Sequence, residues 1–180
     1  MNLTVDRDTV ISRLLAANDI LILCHKNPDG DTIGSGTALC LALQRLGKTA
    51  SVLCSDPIPA MYSYMPIPLF DGSYTPAFVV AVDVAGIQLF GDRNHIQDYA
   101  EHVDLCIDHH GSNSGFALET LVEPEAAAAA ELLTSLIPAM GVELTPDIAA
   151  CLYTGLATDT GCFRFTNTTA ATHRAAAALI

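Results

Sequence analysis

The amino-acid sequence predicts an α/β fold on a mainly parallel sheet flanked by helices, and three observations carry that expectation. Runs of five or six consecutive apolar residues are too uniformly apolar for strands with one wet face, so they read as strands covered on both sides. A segment of helical periodicity separates the first two runs, making a βαβ unit whose crossover imposes parallel pairing. Acids and histidines gather where the apolar runs stop.

The elements follow in order. Val10, Ile11, Leu14 and Leu15 keep helical spacing between Asp6 and Asn18, and Asp19 to Cys24 follows as the first buried strand. A helix is expected from Gly34 to Leu46, with Leu39, Leu43 and Leu46 on one face and Gly47 as its stop; Gly34-Ser35-Gly36 reads as its entry. A strand then spans Thr49 to Cys54. Asp56 to Phe70, carrying Pro57, Pro59, Pro66 and Pro68, reads as a surface loop. Strands at Ala77 to Val82 and Val103 to Ile107 end at Asp83 and at Asp108-His109-His110. The alanine-rich segment from Glu125 to Ile137 reads as a helix closed by Pro138, and Thr145-Pro146 as the cap and first turn of another running to about Ala157. Thr169 to Ile180 reads as a last helix whose apolar, uncapped end leads us to expect both a longer natural chain and self-association as a homodimer.

Composition narrows the function. A chain of 180 residues, 51% hydrophobic and 16% charged, forms one folded domain rather than a disordered segment. No apolar run approaches the ~20 residues that cross a bilayer, and the start Met1-Asn2-Leu3-Thr4-Val5-Asp6 lacks the basic residues of a signal peptide, so no membrane partner and a cytoplasmic location are expected. Eight Lys and Arg against twenty Asp and Glu give a net charge of −12, which excludes duplex DNA as a partner. A phosphate ligand would therefore need another source of positive charge. The six cysteines form no Cys-x-x-Cys pair and read as buried reduced thiols, which speaks against structural zinc.

Chemistry is concentrated at the strand ends, where open parallel sheets gather ligands. Cys24-His25-Lys26-Asn27-Pro28-Asp29-Gly30-Asp31 follows the first strand, Asp83 the third, Asp108-His109-His110 the fourth, and Thr158-Asp159-Thr160-Gly161 follows a helix. Ionised carboxylates ~4 Å apart in one crevice repel by about 4 kcal/mol, so they either protonate or hold cations. Carboxylates mixed with imidazoles suit manganese, iron, cobalt or zinc. His25, Asp29, Asp31, Asp83, His109 and Asp159 exceed the needs of one tetrahedral site and suit two ions if a carboxylate bridges, the arrangement used for in-line displacement at phosphorus. Taken singly, each aspartate also fits a helix cap or a turn. His95, His102 and His173 read as solvated surface residues, and Lys26 as a local ion-pair partner.

Taken together, Cys24 to Ser35, Asp83, Asp108-His109-His110 and Tyr153 to Gly161 resemble, in order and placement, the four motifs of the DHH phosphoesterases. Phe163-Arg164-Phe165-Thr166-Asn167-Thr168-Thr169 is similar to the bacterial nanoRNase/pAp phosphatase branch, which extends the resemblance over essentially the whole chain. The resemblance implies a doubly wound DHH catalytic domain over residues 1–180 holding two manganese ions. It places His25 and Asp29 on the first ion, Asp31, His109 and Asp159 on the second, and Asp83 between them. Asp108 would orient the histidines, and His110 would face the scissile phosphate or leaving group. Arg164, a basic residue near the proposed cleft, is the candidate substrate contact, although a single cation beside acids is more often a local ion-pair partner. The implied activity is hydrolysis of short single-stranded oligonucleotides, pApA-type dinucleotides or 3′-phosphoadenosine 5′-phosphate (pAp). Alternatives are a non-catalytic nucleotide-binding or regulatory module and a manganese pyrophosphatase, although pyrophosphatases usually carry threonine where Gly30 stands. Ala126 to Ala130 replace the serine or threonine usual in the family, and the sequence contains no C-terminal DHH-associated domain, so the domain alone is expected to be half a cleft and weakly active.

Overall fold

Strands Leu3–Thr4 (β1), Ile20–Cys24 (β2), Ala50–Cys54 (β3), Phe78–Val82 (β4), Leu105–Asp108 (β5) and Glu119–Val122 (β6) form one sheet in the order β1-β6-β5-β4-β2-β3. Every pairing is parallel. The architecture comes from a computed structural model that describes residues 2–180. Helices Arg7–Ala16 (α1), Gly30–Arg45 (α2), Gln97–Ala100 (α3), Ala129–Ala139 (α4), Pro146–Asp159 (α5) and Ala170–Ala178 (α6) complete the fold.

The uniformly apolar strands are buried on both faces, as their composition requires, because successive side chains point to opposite sides. Ile20, Ile22, Val52, Val80, Val82, Leu105 and Ile107 face α1, α2, α4 and α5. Leu21, Leu23, Leu53, Val79, Ala81 and Cys106 face a thinner layer built from Phe90, Ile96, Ala100 and Val103. The chain leaves β2 through α2 to β3 and returns across the sheet to β4, so the strand order reverses between β2 and β4. His25 and Asp83 follow these two strands and face the crevice that such a reversal opens.

Several boundaries differ from the sequence expectation. Helix α2 begins at Gly30, a full turn before Gly34, because the Asp29 side chain accepts from the N–H groups of Asp31 and Thr32. Gly34-Ser35-Gly36 is therefore helix interior: a Cβ on Gly34 would lie 2.3 Å from the Cys151 carbonyl oxygen, so the missing side chain sets the close approach of α2 to α5. Helix α4 begins at Ala129 rather than Glu125, and Pro138 lies inside its last turn; the stop is Gly141, with φ +83°. Thr145 precedes α5 but makes no capping hydrogen bond, and α5 runs to Asp159 instead of ending near Ala157. Strands β1 and β6 had no sequence signal, being two and four residues long. All six cysteines are free and five are buried; Cys162 is exposed, because it sits at φ +57° in a turn outside the core. Among the described residues no helix is long and apolar enough to cross a membrane.

Candidate metal centre

Five element ends deliver the site. The β2 end supplies His25, the α2 start supplies Asp29 and Asp31, the β4 and β5 ends supply Asp83, Asp108, His109 and His110, and the α5 end supplies Asp159. Thr32, unassigned from sequence, ties these elements together: its hydroxyl donates to the Val82 carbonyl at 3.1 Å and accepts from the His25 N–H at 3.3 Å.

The imidazoles are oriented from behind. His25 Nδ1 lies 2.7 Å from the Lys26 carbonyl oxygen and His109 Nδ1 lies 3.2 Å from that of Ala126. Each carbonyl takes the Nδ1–H and turns Nε2 toward the acids, where it is free to ligate a cation once its own proton is lost. His25 Nε2 stands 3.6 Å from both Asp29 Oδ1 and Asp83 Oδ2. His109 Nε2 stands 3.2 Å from Asp159 Oδ2, 3.4 Å from Asp83 Oδ1 and 3.9 Å from Asp31 Oδ2.

The donors divide into triads within 4.8 Å: His25, Asp29 and Asp83; Asp31, His109 and Asp159; and Asp83, His109 and His110. Asp83 Oδ1 and His109 Nε2 are buried without a hydrogen-bond partner. Such orphaned atoms are costly unless something outside the chain pairs them, and a divalent cation fits their oxygen-and-imidazole chemistry. Asp83 also adopts φ +60°, a left-handed conformation rare for a residue other than glycine, which marks local strain at the centre of the cluster.

Electrostatics give the same picture. Burial opposes the charged form of His25, but Asp29 and Asp83 outweigh it and push the imidazole up to about 10. Burial likewise works against charge on His109, yet Asp159 and Asp83 raise it to about 11. Asp31, fully buried beside Asp83 and Asp159, is raised well above the ordinary carboxylate range. Without a cation the cluster retains protons; a bound cation would displace them.

Asp31 has a second duty that sequence reading missed. Its carboxylate accepts from the N–H groups of Ala129 at 2.6 Å and Ala130 at 3.0 Å, so it caps α4 from about a hundred residues away in the chain. Ser35 donates to the same carboxylate at 2.9 Å. Asp159, by contrast, closes α5, where the negative end of the helix dipole disfavours a carboxylate and a cation would relieve it.

Asp108 is fully buried and holds its neighbours in place. Its Oδ1 accepts from the His109 and His110 backbone N–H groups and lies 2.8 Å from His110 Nδ1, while Oδ2 accepts from the Asn113 amide at 2.7 Å. Asp108 holds His110 above its ordinary value. Asn113 escaped the sequence reading because Asn-Ser-Gly looks like a simple turn; its Oδ1 does accept from the Gly115 N–H, and the amide is spent on Asp108. Arg164 lies on the turn after Asp159, where its Nε donates to the Gly161 carbonyl at 2.8 Å; it forms no ion pair among the described residues. His95, His102 and His173 lie outside the cluster and are exposed.

Comparison with known proteins accords with this geometry. The model of the DHH family, N-terminal domain, matches residues 19–156. The bifunctional oligoribonuclease and PAP phosphatase NrnA of Thermus thermophilus is 36% identical over 176 residues, covering 89% of this chain and 49% of that protein. The chain thus spans about half the length of this curated relative. An exopolyphosphatase-related protein from Bacteroides fragilis superposes with a TM-score of 0.84 at 26% identity, over 96% of this chain and 55% of that one. A putative family II inorganic pyrophosphatase from Methanococcus jannaschii shares the fold, with a TM-score of 0.63 at 22% identity over 89% of this chain and 55% of its own. With a family model matching most of its length and the motif residues gathered in one crevice, the chain belongs to the DHH family.

Proposed function

We propose that residues 1–180 are the catalytic domain of a manganese-dependent phosphoesterase that hydrolyses short oligoribonucleotides, pApA-type dinucleotides or pAp. The observation that carries this reading is that two of the three donor triads, His25-Asp29-Asp83 and Asp31-His109-Asp159, share no residue, while Asp83 Oδ1 of the first lies 3.4 Å from His109 Nε2 of the second. His25, Asp29 and Asp83 would hold one ion; Asp31, His109 and Asp159 would hold a second, with Asp83 reaching both. When bound, such ions supply a local positive field and stabilise charge on phosphoryl oxygens, the role that an acidic chain cannot fill with basic side chains.

The chain's own groups supply the remainder. The Lys26 and Ala126 carbonyls fix the two ligand rings, so little ordering is needed when the ions bind. Asp108 fixes the His110 ring through Nδ1 and favours its protonated form, which leaves Nε2–H to be donated to the departing oxygen. Arg164, anchored on the Gly161 carbonyl in the turn that follows α5, is the candidate contact for the phosphate backbone. The names of the relatives support oligonucleotide and PAP substrates.

Incubating the protein with manganese and pApA, pAp or inorganic pyrophosphate tests the reading. Metal-dependent release of AMP or phosphate from the nucleotides, exceeding that from pyrophosphate, is expected. Nucleotide binding without turnover would replace catalysis by a binding role, and preferential cleavage of pyrophosphate would reassign the substrate.

A further inference from the structure

A cavity of about 640 Å³ lies on the turn that leads into Asp29 and takes no part in the scheme above. Asn27, Pro28, Asp56, Pro57, Pro59 and Arg93 line it. Pro28 immediately precedes Asp29, so the β2–α2 turn contributes to both the cavity and the cluster. We infer that this cavity is the nucleobase subsite of the same active centre, with the Arg93 guanidinium and the proline rings gripping the heterocycle of a nucleotide whose phosphate lies at the cluster.

The cavity is constructed rather than accidental. The Asn27 backbone, at φ +50°, donates its N–H to Asp56 Oδ2 at 2.9 Å, and Arg93 Nη1 lies 3.7 Å from Asp56 Oδ1. One carboxylate thus holds both sides of the opening. The loop that carries Arg93 is pinned to the β3 end: the Arg93 N–H donates to Ser55 Oγ at 3.1 Å, and the Asn94 amide donates to the Cys54 and Ser55 carbonyls at 2.9 and 3.0 Å. Charge balance selects the ligand class. Asp56 offsets Arg93, so the cavity offers an anion no net attraction, whereas a guanidinium and three proline rings lining one cavity suit a neutral aromatic heterocycle. The volume lies within the usual range of small-molecule sites.

The inference rests on the proposed phosphoesterase function for its phosphate anchor, and its test is independent of turnover. Adenosine 5′-monophosphate and ribose 5-phosphate differ by the base alone, and their affinities for the manganese-loaded protein are measured by calorimetry. The wild-type protein should bind the nucleotide about tenfold more tightly, a difference that both Arg93→Ala and Arg93→Lys abolish without changing ribose 5-phosphate affinity. Lysine keeps the charge and loses the plane, so full rescue by Arg93→Lys would overturn stacking. Equal affinity of the two ligands in the wild type, no binding of either, or equal weakening of both by Arg93→Ala would overturn the subsite. A base preference in a protein that cleaves no nucleotide would retain the subsite and remove the proposed catalysis instead.

Discussion

Asp108 reaches no ligand in this account, yet it decides where His110 points. One oxygen is shared by the His109 and His110 N–H groups and the His110 ring, and the other by Asn113. Replacing it by asparagine keeps the shape, removes the charge that favours protonated His110 and sets an amide donor against the donors that surround it; turnover should fall about 10–100-fold and the melting temperature should fall with it. Asp83 is different in kind, since its two oxygens face different histidines. Asp83→Ala should eliminate hydrolysis and lower the manganese content for both triads together, as read by elemental analysis of the purified protein. Loss of a single ion would show that Asp83 serves one triad alone. At this scale the sequence was informative for Asp29 and Asp83, whose positions after apolar runs are visible in the chain, and silent for Thr32 and Asn113, whose partners are set by tertiary contact.

Among the elements, α2 and α5 carry the tightest constraint. Gly34 meets the Cys151 carbonyl, and Gly155 leaves room for Asp31 Oδ1, which a Cβ would approach to 2.6 Å. A backbone carbonyl cannot swing aside, so Gly34→Ala should force the helices apart and destabilise the domain by about 1–3 kcal/mol in denaturant titrations. Retained stability would mean that the two helices yield easily. The same elements explain where local reading failed. The four strand runs longer than three residues and rich in apolar side chains announced themselves by composition, while β1 and β6 exist because β5 offers β6 a partner and β6 in turn offers one to β1. The start of α4 was displaced to Ala129 because its cap, Asp31, lies in a different helix, and no local rule could anticipate that.

For the whole molecule, the clustered charges predict how stability responds to pH. Without metal, His25 and His109 are raised to about 10 and about 11 in the folded state. Their stabilising contribution is complete below the unfolded value of about 6.5 and is lost as pH climbs through the folded values. Metal binding needs the same imidazoles without their protons, so the manganese-induced rise in melting temperature should grow between about pH 6 and 9 while the metal-free protein weakens. A manganese shift that is flat across this range would separate the ions from the histidines. The acidic net charge of −12 and the gathered donors are two sides of one design, in which acids repelled along the surface are tolerated at the strand ends if cations join them.

The most direct measurement is an anomalous-difference map from a crystal soaked in manganese. The account predicts two peaks about 3.5–4 Å apart, one beside His25, Asp29 and Asp83 and the other beside Asp31, His109 and Asp159. A single peak, or ions bound away from these side chains, would contradict it.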